Sequence, residues 1–186
     1  MKSSRIVLSL FVVVALAQLA VATNQLWRSE WTLRMGKRYK FRTAPVDPYD
    51  AFRGRYVALA FEEHEAPWKG ESRMRYGDTA FAVLREDAEG FARVSYLTAM
   101  RPDNGDYLRV KVGYSGKSNL VSYTFLFDRF YMEERKAPKA EQAYRENSRN
   151  TYALVRVRNG IGVIEDLFVG DKPIREFAVS ARPPSP

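Results

Sequence analysis

His64 is the only histidine of the chain and there is no cysteine. A nucleophile–histidine–carboxylate relay leaves only this residue as base, and a structural zinc site needs several nitrogen or sulfur ligands. His64 stands in Glu62-Glu63-His64-Glu65, and we read it as an exposed loop residue. A serine–lysine dyad needs no histidine. Ser72 or Ser95 with Lys69 or Lys111 supplies the residue types, but no spacing singles out a pair. Gly116-Lys117-Ser118 has the ending of a phosphate-binding loop, yet the motif's first glycine would fall at Lys111 and no helical pattern follows. A hairpin turn is expected there. The carboxylate pairs Glu133-Glu134 and Glu165-Asp166 read as solvated faces, because neighbours on a strand point to opposite sides. No catalytic residue, metal ligand or cofactor is assigned.

The most distinctive polar segment is residues 45–56, which run Pro45-Val46-Asp47-Pro48-Tyr49-Asp50-Ala51-Phe52-Arg53-Gly54-Arg55-Tyr56. Asp47 before Pro48, with Asp50 three residues on, suits carboxylate capping of a short helical turn. Gly54 suits a tight re-entry into a strand. Turn chemistry explains every residue type except Arg53, whose planar guanidinium matches a carboxylate or phosphate. A scaffolding turn is the leading reading. The functional one makes Asp47, Asp50, Arg53 and Tyr56 a polar site for a ligand or partner.

What must position these groups starts with a membrane segment. Residues 6–22 read IVLSLFVVVALAQLAVA, follow Lys2 and Arg5, and contain only Ser9 and Gln18 as polar members. A spanning helix needs about 20 apolar residues, with a lower limit near 17. Trp27 and Trp31 follow, four apart, and aromatic rings prefer the membrane interface. Residues 25–36 continue as an amphipathic helix with Leu26 and Leu33 seven apart, and Gly36 stands where a helix stop is expected. An uncleaved anchor is therefore the expectation. Cleavage after Ala22 and export is the alternative, since Ala20-Val21-Ala22 fits a signal-peptidase site.

Charge is concentrated beside that span. Of the formal net charge of +8, residues 1–42 hold eight basic groups against Glu30 alone, so the rest of the chain is nearly neutral. Such a domain has no basic excess to follow a phosphate backbone, and no nucleic-acid partner is expected. Six of the basic residues follow the span: Arg28, Arg34, Lys37, Arg38, Lys40 and Arg42. They are expected to neutralise lipid headgroups at about 1 kcal/mol each, which makes the lipid bilayer the first partner. A positive-inside count would keep the domain cytoplasmic. The signal-like layout with its short basic head favours an extracytoplasmic domain instead.

After residue 36 the apolar pattern has mainly period two. It is carried by β-branched and aromatic residues in short runs separated by turn formers. Asn159-Gly160 is the strongest local signal, because a two-residue hairpin needs positive φ at both positions. It should join strands Thr151–Arg158 and Ile161–Val169, and Gly170-Asp171-Lys172-Pro173 should turn the chain again. One helix is expected over residues 139–147, with Ala140, Ala143 and Tyr144 facing the sheet. Pro138 suits its first turn. The fold class is mainly β (α+β): about eight strands in an antiparallel β-sandwich or partly closed barrel with one short helix, preceded by an N-terminal membrane helix. Residues 1–36 form the membrane helix and its amphipathic extension, residues 37–178 one domain, and residues 179–186 a proline-rich tail.

The run Ala44-Pro45-Val46-Asp47-Pro48 through Phe52-Arg53-Gly54-Arg55-Tyr56-Val57 resembles the signature region of the GDYXXLXY-domain bacterial membrane proteins. Trp31-Thr32-Leu33, Gly36-Lys37-Arg38-Tyr39-Lys40-Phe41, Arg129-Phe130-Tyr131-Met132-Glu133-Glu134, Asn159-Gly160 and Ile164-Glu165-Asp166-Leu167 extend the likeness over most of residues 27–175. Gly54-Arg55-Tyr56-Val57-Ala58-Leu59-Ala60-Phe61 departs from the signature, with arginine for the aspartate and phenylalanine for the last tyrosine. An intact Gly105-Asp106-Tyr107 occurs elsewhere. The resemblance implies a protein of the bacterial inner membrane, accessory to a multi-pass membrane protein, and it implies no particular reaction. A membrane-anchored binding module is thus the expected function, with a tethered hydrolase using serine, lysine or carboxylates as the alternative.

Overall fold

The computed structural model describes residues 2–44, 56–70, 74–115, 119–132, 137–147 and 150–177. Helix α1 (Lys2–Met35) is unbroken through the apolar run and its extension. It is long and apolar enough to cross a membrane, and the spanning window is not buried by the rest of the chain. Its contact with the domain differs from the expected leucine stripe. Leu26, Trp27 and Trp31 are exposed, while Thr32 is buried. Small residues let the helix approach closely: a β-carbon on Gly36 would sit 2.5 Å from the Thr32 carbonyl oxygen and 3.1 Å from the Val157 backbone. The glycine is needed there for proximity. Its φ is not in the left-handed region, so the stop is steric.

Two antiparallel sheets follow. In the first, β1 (Lys37–Ala44) lies between β3 (Ala60–Phe61) and β10 (Thr151–Arg158), and β11 (Ile161–Val169) and β12 (Lys172–Pro173) extend it. In the second, β7 (Tyr107–Ser115) is flanked by β5 (Thr79–Glu86) and β8 (Leu120–Phe125), with β6 (Ala92–Thr98) and β4 (Glu65–Pro67) outermost. Those outer strands approach each other. Trp68 bridges to Leu97, and the Lys69 N–H donates to the Leu97 carbonyl at 2.8 Å, so the sheet is nearly a closed barrel. A small ribbon pairs β2 (Tyr56–Ala58) with β9 (Arg129–Tyr131). α2 (Ala137–Glu146) buries Ala140, Ala143 and Tyr144 as expected, and the Tyr144 hydroxyl donates to the Ala44 carbonyl at 2.9 Å. A one-turn α3 (Ile174–Phe177) buries Ile174.

The mainly β class with antiparallel, partly closed architecture is therefore present, with twelve strands among the described residues where about eight were expected. The extra ones are two or three residues long, too short to show a period. Residues 56–61 alternate as one strand would, yet they are split at Leu59, because Tyr56–Ala58 pairs with β9 while Ala60–Phe61 pairs with β1. Even so, Val57 and Leu59 are buried and Phe61 packs edge-on against Phe41, Phe125 and Phe127 at 5.2–6.0 Å. The leucine and final aromatic of the signature are thus core positions, where phenylalanine serves as well as tyrosine.

The hairpin at Asn159-Gly160 has φ of 49° and 79° at its two positions, as a primed turn demands. Its tip docks on the other sheet: Gly160 bridges to Leu108, and the Arg109 N–H donates to the Gly160 carbonyl at 2.9 Å. A β-carbon at Gly160 would lie 2.8 Å from the Tyr107 ring. This contact ties the two sheets together beside α1.

Candidate functional site

Where α1 meets that junction, the surface opens into a cleft of about 560 Å³. The helix supplies Asn24, Trp27, Arg28, Trp31 and Thr32 to one wall. Phe81 and Tyr107 meet edge-on at 5.6 Å on the opposite wall, with Arg109 one position beyond Tyr107's neighbour on the same strand. Arg101 enters from the β6–β7 connection, and Arg158, Asn159 and Ile161 come from the hairpin. A smaller cleft of about 430 Å³ shares Asn24, Arg28 and Arg109, and adds Val21, Leu126, Phe127 and Val163.

The electrostatics of the larger cleft are one-sided. Among the described residues it is lined by four arginines and no carboxylate. Arg101 lies over the Tyr107 ring at 5.6 Å and Arg158 over the Trp31 ring at 5.5 Å, contacts that orient a guanidinium without neutralising it. Among the described residues, none of the four is paired with an acid. A guanidinium presents donors in a fixed fork that fits a phosphate or carboxylate, so anion recognition is the chemistry this arrangement offers.

The opposite holds on the far side of the helix end. The bulge in β11, at the step where Leu154 opposes Asp166 and Val155 opposes Ile164, leaves Glu165 without a strand partner and re-aims it. Its carboxylate accepts from Arg38 at 2.7 and 3.0 Å and from the Arg156 Nε at 2.6 Å. The Arg38 hydrogen bonds first, then those of Arg156, hold Glu165 down to about 2 against the cost of burial. Arg156 also donates to the Gly36 carbonyl at 2.9 Å, which satisfies a carbonyl at the end of α1. Glu165 and Asp166 were expected on solvated faces. Their side chains are only 27% and 21% exposed, and Asp166 meets Arg175 at 3.5 Å.

Gly105-Asp106-Tyr107 meets both β1 and the cleft. The Tyr39 hydroxyl donates to Asp106 at 2.7 Å, and Lys37 reaches Asp106 at 3.5 Å and Glu86 at 3.2 Å. Burial first, then the hydrogen bond to Asp106, raises the Tyr39 phenol. Tyr107, next in sequence, lines the cleft.

Of the residues singled out in the sequence, Trp27 and Trp31 reach the cleft and are 72% and 52% exposed. Asp47, Asp50 and Arg53 lie outside the described residues. Tyr56 sits on the β2–β9 ribbon, 5.7 Å from the Tyr131 ring and 5.0 Å from the Arg129 guanidinium, and it is absent from the linings of both clefts. His64 is exposed, with Nδ1 2.7 Å from the Glu62 carbonyl. Lys111 donates to the Gly77 carbonyl and to Thr79 at 3.0 and 3.1 Å, and Lys69 lies over Tyr96. Among the described residues no hydrogen bond joins either lysine to a serine. Ser72, Lys117 and Glu133 lie outside them. No cluster of three or more metal-binding side chains occurs among the described residues. Tyr123 buries a hydroxyl that lacks a partner there, but it belongs to the aromatic core. Sequence reasoning missed Arg101, Arg109 and Arg158. Arg158 flanks the predicted turn and could have been found from it, whereas Arg101 and Arg109 carry no local signal.

A family model described as GDYXXLXY protein matches residues 18–167. No curated protein and no solved structure matches the chain.

Proposed function

The chain belongs to the GDYXXLXY family, and on that premise we propose that it is a membrane-anchored binding module of the bacterial envelope, accessory to a multi-pass membrane protein. The observation that carries this reading is the way α1 is fastened to the domain. The Arg156 bond to Gly36, the buried Thr32 and the close approach of Gly36 to Val157 make the span and the sheet one unit. A flexible tether would let the domain roam. A docked one holds it against the membrane face, beside whatever else lies in the bilayer.

Placement follows from length. Residues 6–22 rise about 25 Å as helix, less than the roughly 30 Å hydrocarbon layer. Asn24, Trp27 and Arg28 therefore follow at the headgroup level, and the cleft they line faces the bilayer surface. The short basic head supports an extracytoplasmic domain in the inner membrane.

Resistance to carbonate extraction, together with Met1 at the N-terminus, is the expected result for the native protein. A mature chain starting at Thr23 would overturn the anchor, and protection of the domain from external protease in spheroplasts would overturn the orientation. Cross-linking in intact membranes, followed by purification, should recover a multi-pass protein in fixed proportion. Recovery of the chain alone would remove the accessory role.

A further inference from the structure

We infer that the arginine cleft beside α1 is a binding site for the phosphate of an anionic phospholipid from the bilayer in which the helix sits. The inference rests on the membrane-embedded reading of α1 and names the ligand of that same surface.

The first argument is electrostatic. Arg28, Arg101, Arg109 and Arg158 converge on one cleft without a carboxylate in its lining among the described residues, whereas most of the basic residues that follow the span are paired with acids. Of the six basic residues that follow the span, Arg34 meets Glu30, Lys37 meets Glu86 and Asp106, Arg38 meets Glu165, and Arg42 meets Glu89. A general basic collar is therefore largely consumed by the protein itself. Of the other two, Lys40 lies over the Tyr152 ring at 5.5 Å, away from the cleft lining, and Arg28 is joined there by three arginines from distant strands and loops. The second argument is amphipathy. The adjoining cleft shares Arg28 and Arg109 but is lined by Val21, Leu126, Phe127 and Val163, and Leu126 is 56% exposed. Val21 closes the apolar run of α1. A headgroup held by the arginines would thus lead its glycerol and first methylenes along an apolar wall toward the hydrocarbon. A soluble phosphate would use the first cleft and leave the second without a role.

The third argument is preorganisation. Arg101 and Arg158 rest on aromatic rings. Such groups lose less freedom on meeting a ligand than free lysines would.

The test uses the full chain in nanodiscs of phosphatidylcholine alone or with a minor fraction of phosphatidylglycerol, released into the gas phase for native mass spectrometry. Wild type should retain phosphatidylglycerol in preference to phosphatidylcholine. Arg109→Gln/Arg158→Gln should lower that preference about tenfold or more, as two surface charges predict. The charge-matched control Arg75→Gln/Arg85→Gln, two exposed arginines outside both linings, should leave it unchanged. Melting curves establish that each variant is folded, and Arg109→Lys/Arg158→Lys provides a second pair that keeps the charge while removing the fork. Equal retention by wild type and the cleft variant overturns the proposal, as does an equal loss in the control. Displacement of the lipid by millimolar glycerol phosphate or inorganic phosphate would assign the cleft to a soluble anion and overturn the lipid. Release of the chain by carbonate would instead sink the anchor reading.

Discussion

Arg156 and Arg158 stand two residues apart on β10, yet they belong to different regimes. Arg156 is 19% exposed, bound to Glu165 and to the Gly36 carbonyl. Arg158 ends the strand, lies over Trp31 and meets no acid among the described residues. The first belongs to a knot that fastens the long apolar helix α1 to the sheet. The second belongs to a cleft whose charge is left over. The difference shows why formal charge is a poor guide to function: a cation matters to a partner only after the fold has taken what it needs. Geometry decides this, through the β11 bulge that turns Glu165 toward Arg38 and Arg156, while no acid among the described residues lines the cleft.

Breaking the paired side should have the largest effect. Arg156→Ala leaves Glu165 with one partner and the Gly36 carbonyl without its donor. We expect a loss of about 2–3 kcal/mol, below the full figure for a buried pair because both side chains keep some solvent. Chemical denaturation of the domain measures it. A loss under about 0.5 kcal/mol, the usual range for surface changes, would show that the knot does not fasten the helix.

Gly160→Ala attacks the joint between the two regions. An alanine at φ 79° is strained, and its methyl would press on Tyr107 and Arg109. The expected cost is about 1–3 kcal/mol, with the hairpin tip lifting from β7. Because Arg109 and Arg158 are brought together by that joint, phosphatidylglycerol preference should fall along with stability. Preserved preference in a destabilised variant would mean that the cleft does not depend on the hairpin.

Glu165 gives the paired side a pH signature that the cleft lacks. Its folded value, about 2, lies below the ordinary 4.5, so the unfolded chain takes up the proton first. The stabilisation is present above about pH 4.5 and is lost as pH falls toward 2. Its size is on the order of 1–2 kcal/mol after allowing for solvent screening. Asp87 is also depressed, chiefly by its bond from the Phe91 N–H, and titrates in the same direction. The informative quantity is therefore the difference between wild type and Glu165→Gln. Parallel acid limbs for the two proteins would deny Glu165 its role.

How much of this was legible follows from range. The long apolar helix α1, the Asn159-Gly160 turn and the α2 face are written in local pattern, and each is found where the pattern places it. The close packing of α1 was not legible, because Thr32 and Gly36 acquire meaning only against Val157. Trp27 and Trp31 stood out because interfacial aromatics have a local rule, and the structure places both in the cleft lining. Arg101, Arg109 and Arg158 obey none: each is an ordinary polar residue in its own strand or loop, and only the docking of the hairpin on β7 assembles them. The bulge at Glu165 is likewise invisible, since one extra residue in a strand leaves its composition unchanged.

Arg158 should give the smallest effect on stability, and it completes the comparison. Arg158→Gln removes a guanidinium stacked on an exposed indole, a contact worth about 0.5–1 kcal/mol at such sites. It also removes repulsion from three nearby arginines that meet no acid among the described residues, which acts in the opposite direction. We expect the two to cancel to within about 0.5 kcal/mol in detergent, where no anionic lipid is present. Adding phosphatidylglycerol should then raise the melting temperature of wild type more than that of the variant, because a ligand stabilises only the state that binds it. The Arg156→Ala protein, in contrast, should start lower but respond to the lipid, since its cleft arginines are intact. A variant at Arg158 that loses stability in detergent as Arg156→Ala does would show that the two arginines share one structural task, and the division between paired and free charge would fall with it.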